Sequence, residues 1–289
     1  MTIVQAGHAR LYTERTGDGP ALVLVPGGGG DTSAFDRVVP VLAERYTVLT
    51  LDRRGNSRSP IEGPQRPVDV GEQADDVVAV LDHYGLSRAY VFGTSASGII
   101  ALELLIRHPD RLLGAVVHEP PIVRVLPDAA ERLAFFDEVR AVGEREGALR
   151  AYLLFASAIM ARPLGLFRSR AGRAVVAAGL RASMAVRKGE PGGMQRLFGN
   201  AEVVVRSEIP AFLAYEPNLS ALGRVPAPWC FAVGAASEGR FYARPARLLG
   251  ERLGAEVAEL PGGHLGYQEF PREFGDRLAA TLDGFRARR

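Results

Sequence analysis

Over the first third of the chain, short apolar runs of strand length alternate with stretches whose apolar residues recur at helical spacing. Thr2 to Thr16 reads as an opening hairpin, and Ala21 to Val25 (ALVLV) as a buried strand that ends at Pro26. The pattern predicts a helix near Phe35 to Arg45, a strand over Tyr46 to Leu51 and a helix over Val68 to Tyr84. The next strand runs into Gly93-Thr94-Ser95-Ala96-Ser97-Gly98 and resumes as a helix, and Leu112 to Val117 forms a strand ending at His118-Glu119-Pro120-Pro121. Such alternation is the mark of an α/β fold built on a mostly parallel, doubly wound sheet covered on both faces.

The rhythm changes from about Ile122 to Arg224, where the sequence is helical and rich in Ala, Arg, Leu and Phe. Only Val203-Val204-Val205 offers a short strand-like run there. Strand and helix return at Pro228 to Val233, Arg240 to Leu253 and Ala255 to Leu260, with a closing helix from Pro271 to Arg289. A structureless loop of about a hundred residues would be anomalous inside a compact domain, so the middle stretch is read as an inserted helical lid. The expected division is 1–121 for the first part of the core, 122–224 for the lid and 225–289 for the second part.

Composition narrows the class. With 289 residues, 47% hydrophobic and 24% charged, the chain suits a soluble globular enzyme. A net charge of +2 arises from mixed charges without a basic block, so neither nucleic acid nor an anionic membrane is implied as a partner. No apolar run reaches the ~18 residues of a membrane helix, and the N-terminus lacks the pattern of a signal peptide. Cys230 is the single cysteine, which excludes an intrachain disulfide and suggests a reducing, cytoplasmic setting. A small-molecule substrate is the expected partner, and a homodimer is open.

The candidate chemistry centres on Ser95. On a sharp turn from strand to helix, flanked by Gly93, Ser97 and Gly98, its hydroxyl would project from the sheet edge as a nucleophile. The blander alternative is a serine N-cap at a glycine-rich helix start. A serine nucleophile needs a base, and His264, in the glycine loop Pro261 to Gly266 after the last strand, is the candidate. His8, His83 and His108, in the hairpin or at helix ends, read as solvated or structural. The oxyanion of acyl transfer needs N–H donors; Gly28, in the loop Pro26 to Gly30, and Ala96, just after the nucleophile, are chosen, with Gly29 as the alternative to Gly28. That loop also supports a rival, since Asp52 follows about twenty residues later beside Arg53 and Arg54, as in a dinucleotide site. Ser33 occupies the place of the third small residue of that fingerprint, and the rival leaves Ser95 and His264 without a role.

Taken in order and spacing, the PGGGG loop, Asp52 to Ser59, the elbow around Ser95 and the terminal Gly-Gly-His resemble an α/β-hydrolase with a helical cap. The resemblance implies a sheet of the α/β-hydrolase type and a Ser-His-acid triad. It also implies that Asp52 to Ser59 forms a structured loop near the site, its arginines structural. Such hydrolases commonly carry an aspartate three residues after the glycine ending the penultimate strand, but here Ser237 stands there and Glu238 is one place late. In some similar haloalkane dehalogenases the acid comes from the end of the preceding core strand, where this chain has Glu119. A charge directly after the apolar run Leu112 to Val117 is costly unless paired, so Glu119 is preferred as the acid, with Glu238 as the alternative. If the strand continued, His118 would point away from Glu119 as a neighbour and not a second base.

A serine at position 95 excludes the aspartate-dependent dehalogenase and epoxide hydrolase chemistry of this architecture. No His, Cys, Asp and Glu cluster has metal-ligand spacing, and neither a metal nor an organic cofactor is required. Met160, Met184 and Met194, with Phe135, Phe136, Phe155, Phe167, Phe198 and Phe212, fall in the lid, so a bulky apolar substrate is expected unless they only pack the lid on itself. Arg168, Arg170, Arg173, Arg181 and Arg187 read as a solvated lid face. The expected function is a serine hydrolase cleaving an ester, lactone or thioester through an acyl-enzyme. The alternatives are a non-hydrolytic enzyme of the same fold (carbon-carbon cleavage, cofactor-free oxidation or halogenation) and a non-enzymatic small-ligand receptor.

Overall fold

In the computed structural model, which describes residues 1–63, 67–159, 165–186 and 190–287, the described strands form one eight-stranded sheet. They are β1 (Thr2–Ala6), β2 (Ala9–Thr16), β3 (Ala21–Val25), β4 (Thr47–Leu51), β5 (Ala89–Thr94), β6 (Leu112–His118), β7 (Trp229–Gly234) and β8 (Val257–Leu260). Their order is β1-β2-β4-β3-β5-β6-β7-β8, with β1 and β2 antiparallel to their neighbours and the rest parallel. All five residues of β3 and of β4 are buried, as expected of parallel strands covered on both sides.

Side-chain alternation divides the core. Val23, Val25 and Val91 join Val77, Val80 and Leu81 of the helix Val70–His83 and Ile99, Leu102 and Leu105 of the helix Ala96–Arg107. Leu22, Leu24 and Phe92 point the other way, onto Phe274, Leu278, Leu282 and Phe285 of the closing helix Pro271–Ala287. Each fully buried Leu or Phe contributes about 1.5–3 kcal/mol, so two such faces give the rigid sheet from whose carboxyl edge the site is built.

Between β6 and β7 the described chain is helical, with main helices at Ala129–Glu146, Ala148–Ile159 and Arg170–Val186 and a core of their own around Val139, Val142, Leu153, Ala177 and Val204. Three local expectations are corrected here. Instead of a helix over Phe35 to Arg45 there is a 3₁₀ turn, Thr32–Phe35, and a short helix, Val39–Leu42, that restarts with Pro40 in its first turn; proline lacks the N–H that a continuous helix needs. Val203-Val204-Val205 is no strand. It ends the short helix Ala201–Val203 and begins a π-helical turn, Val204–Glu208, because burial of Val204 and Val205 in the lid overrides strand propensity where no strand lies alongside to pair with it. Arg173 belongs to no solvated face: it is buried, with its guanidinium on Glu146 and on the carbonyls of Phe167 and Arg168, whereas Arg168, Arg170 and Arg181 are exposed. Met160 and Arg187 lie outside the described residues.

Candidate active site

Ser95 joins β5 to the helix Ala96–Arg107 with φ 57° and ψ −127°, a conformation that non-glycine residues rarely adopt. The turn is held from several sides. The Ser95 N–H donates to the His118 carbonyl at 2.9 Å, and the buried hydroxyl of Ser97 donates its one proton to the Val25 carbonyl (2.5 Å), with the Thr94 carbonyl also within reach (2.9 Å), while accepting from the Thr94 N–H. Small residues are required beside it, since a Cβ on Gly93 would come 2.3 Å from the Ser97 carbonyl oxygen. Serine at position 97 is therefore a tie across the elbow, which compensates for the missing glycine of the commoner pattern.

The loop after β3 passes directly over this turn. A Cβ on Gly27 would lie 2.8 Å from the Thr94 carbonyl oxygen and 2.9 Å from the Ser95 Cβ, so only glycine fits. Gly28 and Ala96 line the same cavity as Ser95, and Ala96, as the first residue of its helix, has an N–H without an intrahelical partner. Gly29 faces elsewhere, against Leu197 and Tyr152. Of the two candidate donors, Gly28 is the one that lines the cavity.

His264 and Glu119 meet at the carboxyl edge of the sheet, just past β6, the strand that pairs with β5. Glu119 follows the last residue of β6 with φ 45°, and its carboxylate accepts from the Gly234 N–H at 2.8 Å through Oε1 and contacts His264 Nδ1 at 2.6 Å through Oε2. The loop carrying His264 fits against the end of β7 because Gly234 has no side chain; a Cβ there would come 2.7 Å from the Gly262 carbonyl oxygen. Both Glu119 and His264 are buried, and the His264 ring packs on Tyr242, which lines the cavity with Ser95. Glu238, the alternative acid, is exposed. Ser237, where such hydrolases commonly have aspartate, is buried near Glu119, but its hydroxyl makes no hydrogen bond among the described residues.

His118 corrects the expected alternation. The positive φ of Glu119 ends the strand geometry, so both side chains come together, with His118 Nε2 4.0 Å from Glu119 Oε2. His118 is fully buried between Phe92 and His264, with Nδ1 2.8 Å from the Thr94 hydroxyl. Burial pushes its imidazole from the usual 6.5 down to about 4, Glu119 opposes that shift and His264 reinforces it. For Glu119 burial alone would raise the carboxyl, but His118 and His264 outweigh it and lower it from 4.5 to about 2.

Both depressed groups make the fold acid-sensitive in consecutive windows. Unfolding lets His118 take a proton below about pH 6.5, so stability is complete above that pH and is lost as pH falls towards 4; Glu119 adds a loss between about 4.5 and 2. Urea unfolding from about pH 7 down to about pH 4.5 should show a fall of up to about 1.4 kcal/mol per pH unit from His118, and His118→Asn should flatten it. An unchanged slope in that variant would contradict the assignment.

A family model described as the alpha/beta hydrolase fold matches residues 20–163. An uncharacterized hydrolase of Bacillus subtilis, YraK, is 32% identical over 286 residues, 97% of this chain and 95% of the relative. The chain belongs to the α/β-hydrolase family. A zearalenone hydrolase of Bionectria ochroleuca is 37% identical to this α/β hydrolase over 123 residues, 42% of this chain and 47% of that one. Among solved structures, a thermophilic esterase from Thermogutta terrifontis superposes with a TM-score of 0.71 at 18% identity, covering 98% of each chain, a likeness of fold.

The hydrolase's cavity lies over Ser95 and is walled by Phe136, Phe155, Ile159, Phe212, Phe241 and Tyr242. Of the lid aromatics singled out from sequence, Phe136, Phe155 and Phe212 line it; Phe135, Phe167 and Phe198 do not, and Met194 is exposed. Of the methionine and aromatic surface expected in the lid, aromatic side chains and no methionine line the cavity among the described residues. The charged groups of the dinucleotide alternative are all engaged within the protein. Asp52 holds Arg58 and the Thr32 N–H, Arg54 holds Asp76 and Glu72, and Arg53 is buried on Glu208. No helix among the described residues is long and apolar enough to cross a membrane, and no group of three or more metal-ligating side chains among them is placed to hold a metal.

Proposed function

We propose that this α/β hydrolase is a serine carboxylic-ester hydrolase, acting on an ester, lactone or thioester with a bulky apolar portion. The observation that carries the reading is the 2.6 Å contact between Glu119 and His264, buried at the same sheet edge as the strained Ser95 turn. In this mechanism the Ser95 hydroxyl attacks the substrate carbonyl while His264 takes its proton, and Glu119 orients the ring and stabilises the imidazolium. The N–H groups of Gly28 and Ala96 bind the oxyanion. Collapse of the tetrahedral intermediate breaks the bond to the alcohol or thiol, which leaves with the proton held by His264. Water, deprotonated by the same ring, then releases the acid and restores Ser95. The aromatic cavity walls support an apolar substrate, since they present little to compensate a desolvated charge. A cytoplasmic protein acting on a small molecule is part of the same proposal, consistent with the single buried thiol of Cys230.

Incubation with a fluorophosphonate, followed by intact mass and peptide mapping, tests it. One adduct is expected, on Ser95, and His264→Ala should prevent its formation. A folded wild-type protein that neither forms the adduct nor hydrolyses p-nitrophenyl or lactone substrates would overturn the reading in favour of a receptor or a non-hydrolytic enzyme.

A further inference from the structure

Arg53 makes five hydrogen bonds in a fully buried setting. Its Nε donates to the Pro26 carbonyl at 2.9 Å, Nη2 to the Gly27 carbonyl at 2.9 Å, and Nη1 to Gln73 at 2.8 Å. The two remaining donors grip both oxygens of Glu208 at 2.7 Å each. Glu208 comes from the π-helical turn of the lid, borders the cavity and also accepts from Asn56 at 2.8 Å. A buried ion pair is a poor source of net stability, because desolvating two charges offsets their attraction. This one spans the boundary between lid and core and ends on the loop that carries Gly28.

The Gly27 carbonyl and the Gly28 N–H belong to one peptide unit. That unit is planar and trans, so fixing the carbonyl on one side aims the N–H to the opposite side. Arg53 and the Gly30 N–H (3.0 Å) together occupy the Gly27 oxygen, and Gly28 lines the cavity. A cation on the carbonyl also polarises the amide and strengthens its N–H as a donor. Other lid contacts reach the same loop, through Arg196 on Asp31 and Asn200 on the Gly29 carbonyl.

We infer that Arg53 is the positioning residue of the oxyanion site: held by Glu208 of the lid, it sets and polarises the Gly27–Gly28 peptide, so docking of the lid and readiness of the oxyanion donor are coupled. The inference rests on the serine-hydrolase reading of the same cavity. Its test compares wild type, Arg53→Lys, Glu208→Gln and the doubly apolar Arg53→Met/Glu208→Leu, which removes the pair without leaving a buried charge alone. The readouts are kcat and KM for a p-nitrophenyl ester, the rate of fluorophosphonate labelling, and the fraction of protein finally labelled.

Removing an oxyanion donor outright costs about 10²–10³ in kcat, so loosening one should cost about ten- to a hundred-fold in the double variant and less in Glu208→Gln. The labelling rate should fall in step, KM should stay near wild type, and Arg53→Lys should recover part of the loss. The finally labelled fraction should remain complete, whereas a merely structural role would lower that fraction and leave the folded part labelling at the wild-type rate. Labelled wild type with equally fast variants overturns the inference alone. A wild type that does not label overturns the serine reading, and this inference with it.

Discussion

Ser95→Ala is expected to lower kcat by about 10⁵-fold or more, to the level of background hydrolysis, without loss of folded protein. The hydroxyl supplies the only bond to the acyl group in the proposed mechanism, whereas the backbone turn is held by the Ser97 ties and the Ser95 N–H, which alanine keeps. A companion substitution separates function from fold more sharply. At φ 57° any Cβ is strained, so Ser95→Gly should lose turnover equally yet raise the unfolding free energy by about 1 kcal/mol, the lower end of what such backbone strain stores. Steady-state turnover and urea unfolding on the three proteins decide the matter. Substantial turnover by Ser95→Ala would sink the mechanism, and a destabilised Ser95→Gly would show that the turn is not strained.

The parts of this architecture that could be read beforehand are those written into contiguous residues. The all-apolar β3, the glycines around Ser95 and the Gly-Gly-His after β8 each carry their structural demand locally, so strand, elbow and histidine loop were predictable. What escaped depends on partners distant in sequence. Glu208 meets Arg53 across 155 positions, and nothing near Glu208 marks it as a member of the site. The juxtaposition of His118 and Glu119 hinges on one positive φ, which breaks the alternation that their sequence implies. Arg173 looked solvated because its helix is rich in arginine, but Glu146, on the helix Ala129–Glu146, gives it a buried counter-charge. A π-helical turn at Val204–Glu208 has no compositional signature and arises from packing of the lid.

Glu119→Gln should lower kcat by about 10³- to 10⁴-fold, more than loss of charge alone would suggest. Glu119 Oε1 is engaged by the Gly234 N–H, a donor that cannot be satisfied by an amide NH₂. The glutamine must therefore keep its oxygen on Gly234 and turn its NH₂ towards His264 Nδ1. Nδ1 then has to accept, which places the ring proton on Nε2, the atom that should receive the proton of Ser95. Glu238→Gln should leave kcat unchanged, because that side chain is exposed and the histidine already has its carboxylate. Measuring both variants on one ester, the reverse order would transfer the acid role to Glu238. The same geometry predicts a rescue. Ser237 is buried near the Glu119 carboxyl, which it helps to lower, and its hydroxyl has no hydrogen-bond partner among the described residues, so adding Ser237→Asp to Glu119→Gln is expected to put a carboxylate back within the histidine's surroundings. That double variant should recover part of the lost kcat while Ser237→Asp alone, which sets two buried carboxylates side by side, should be less active and less stable than wild type. Failure of the rescue in a folded double variant would mean that only the end of β6 can orient the ring.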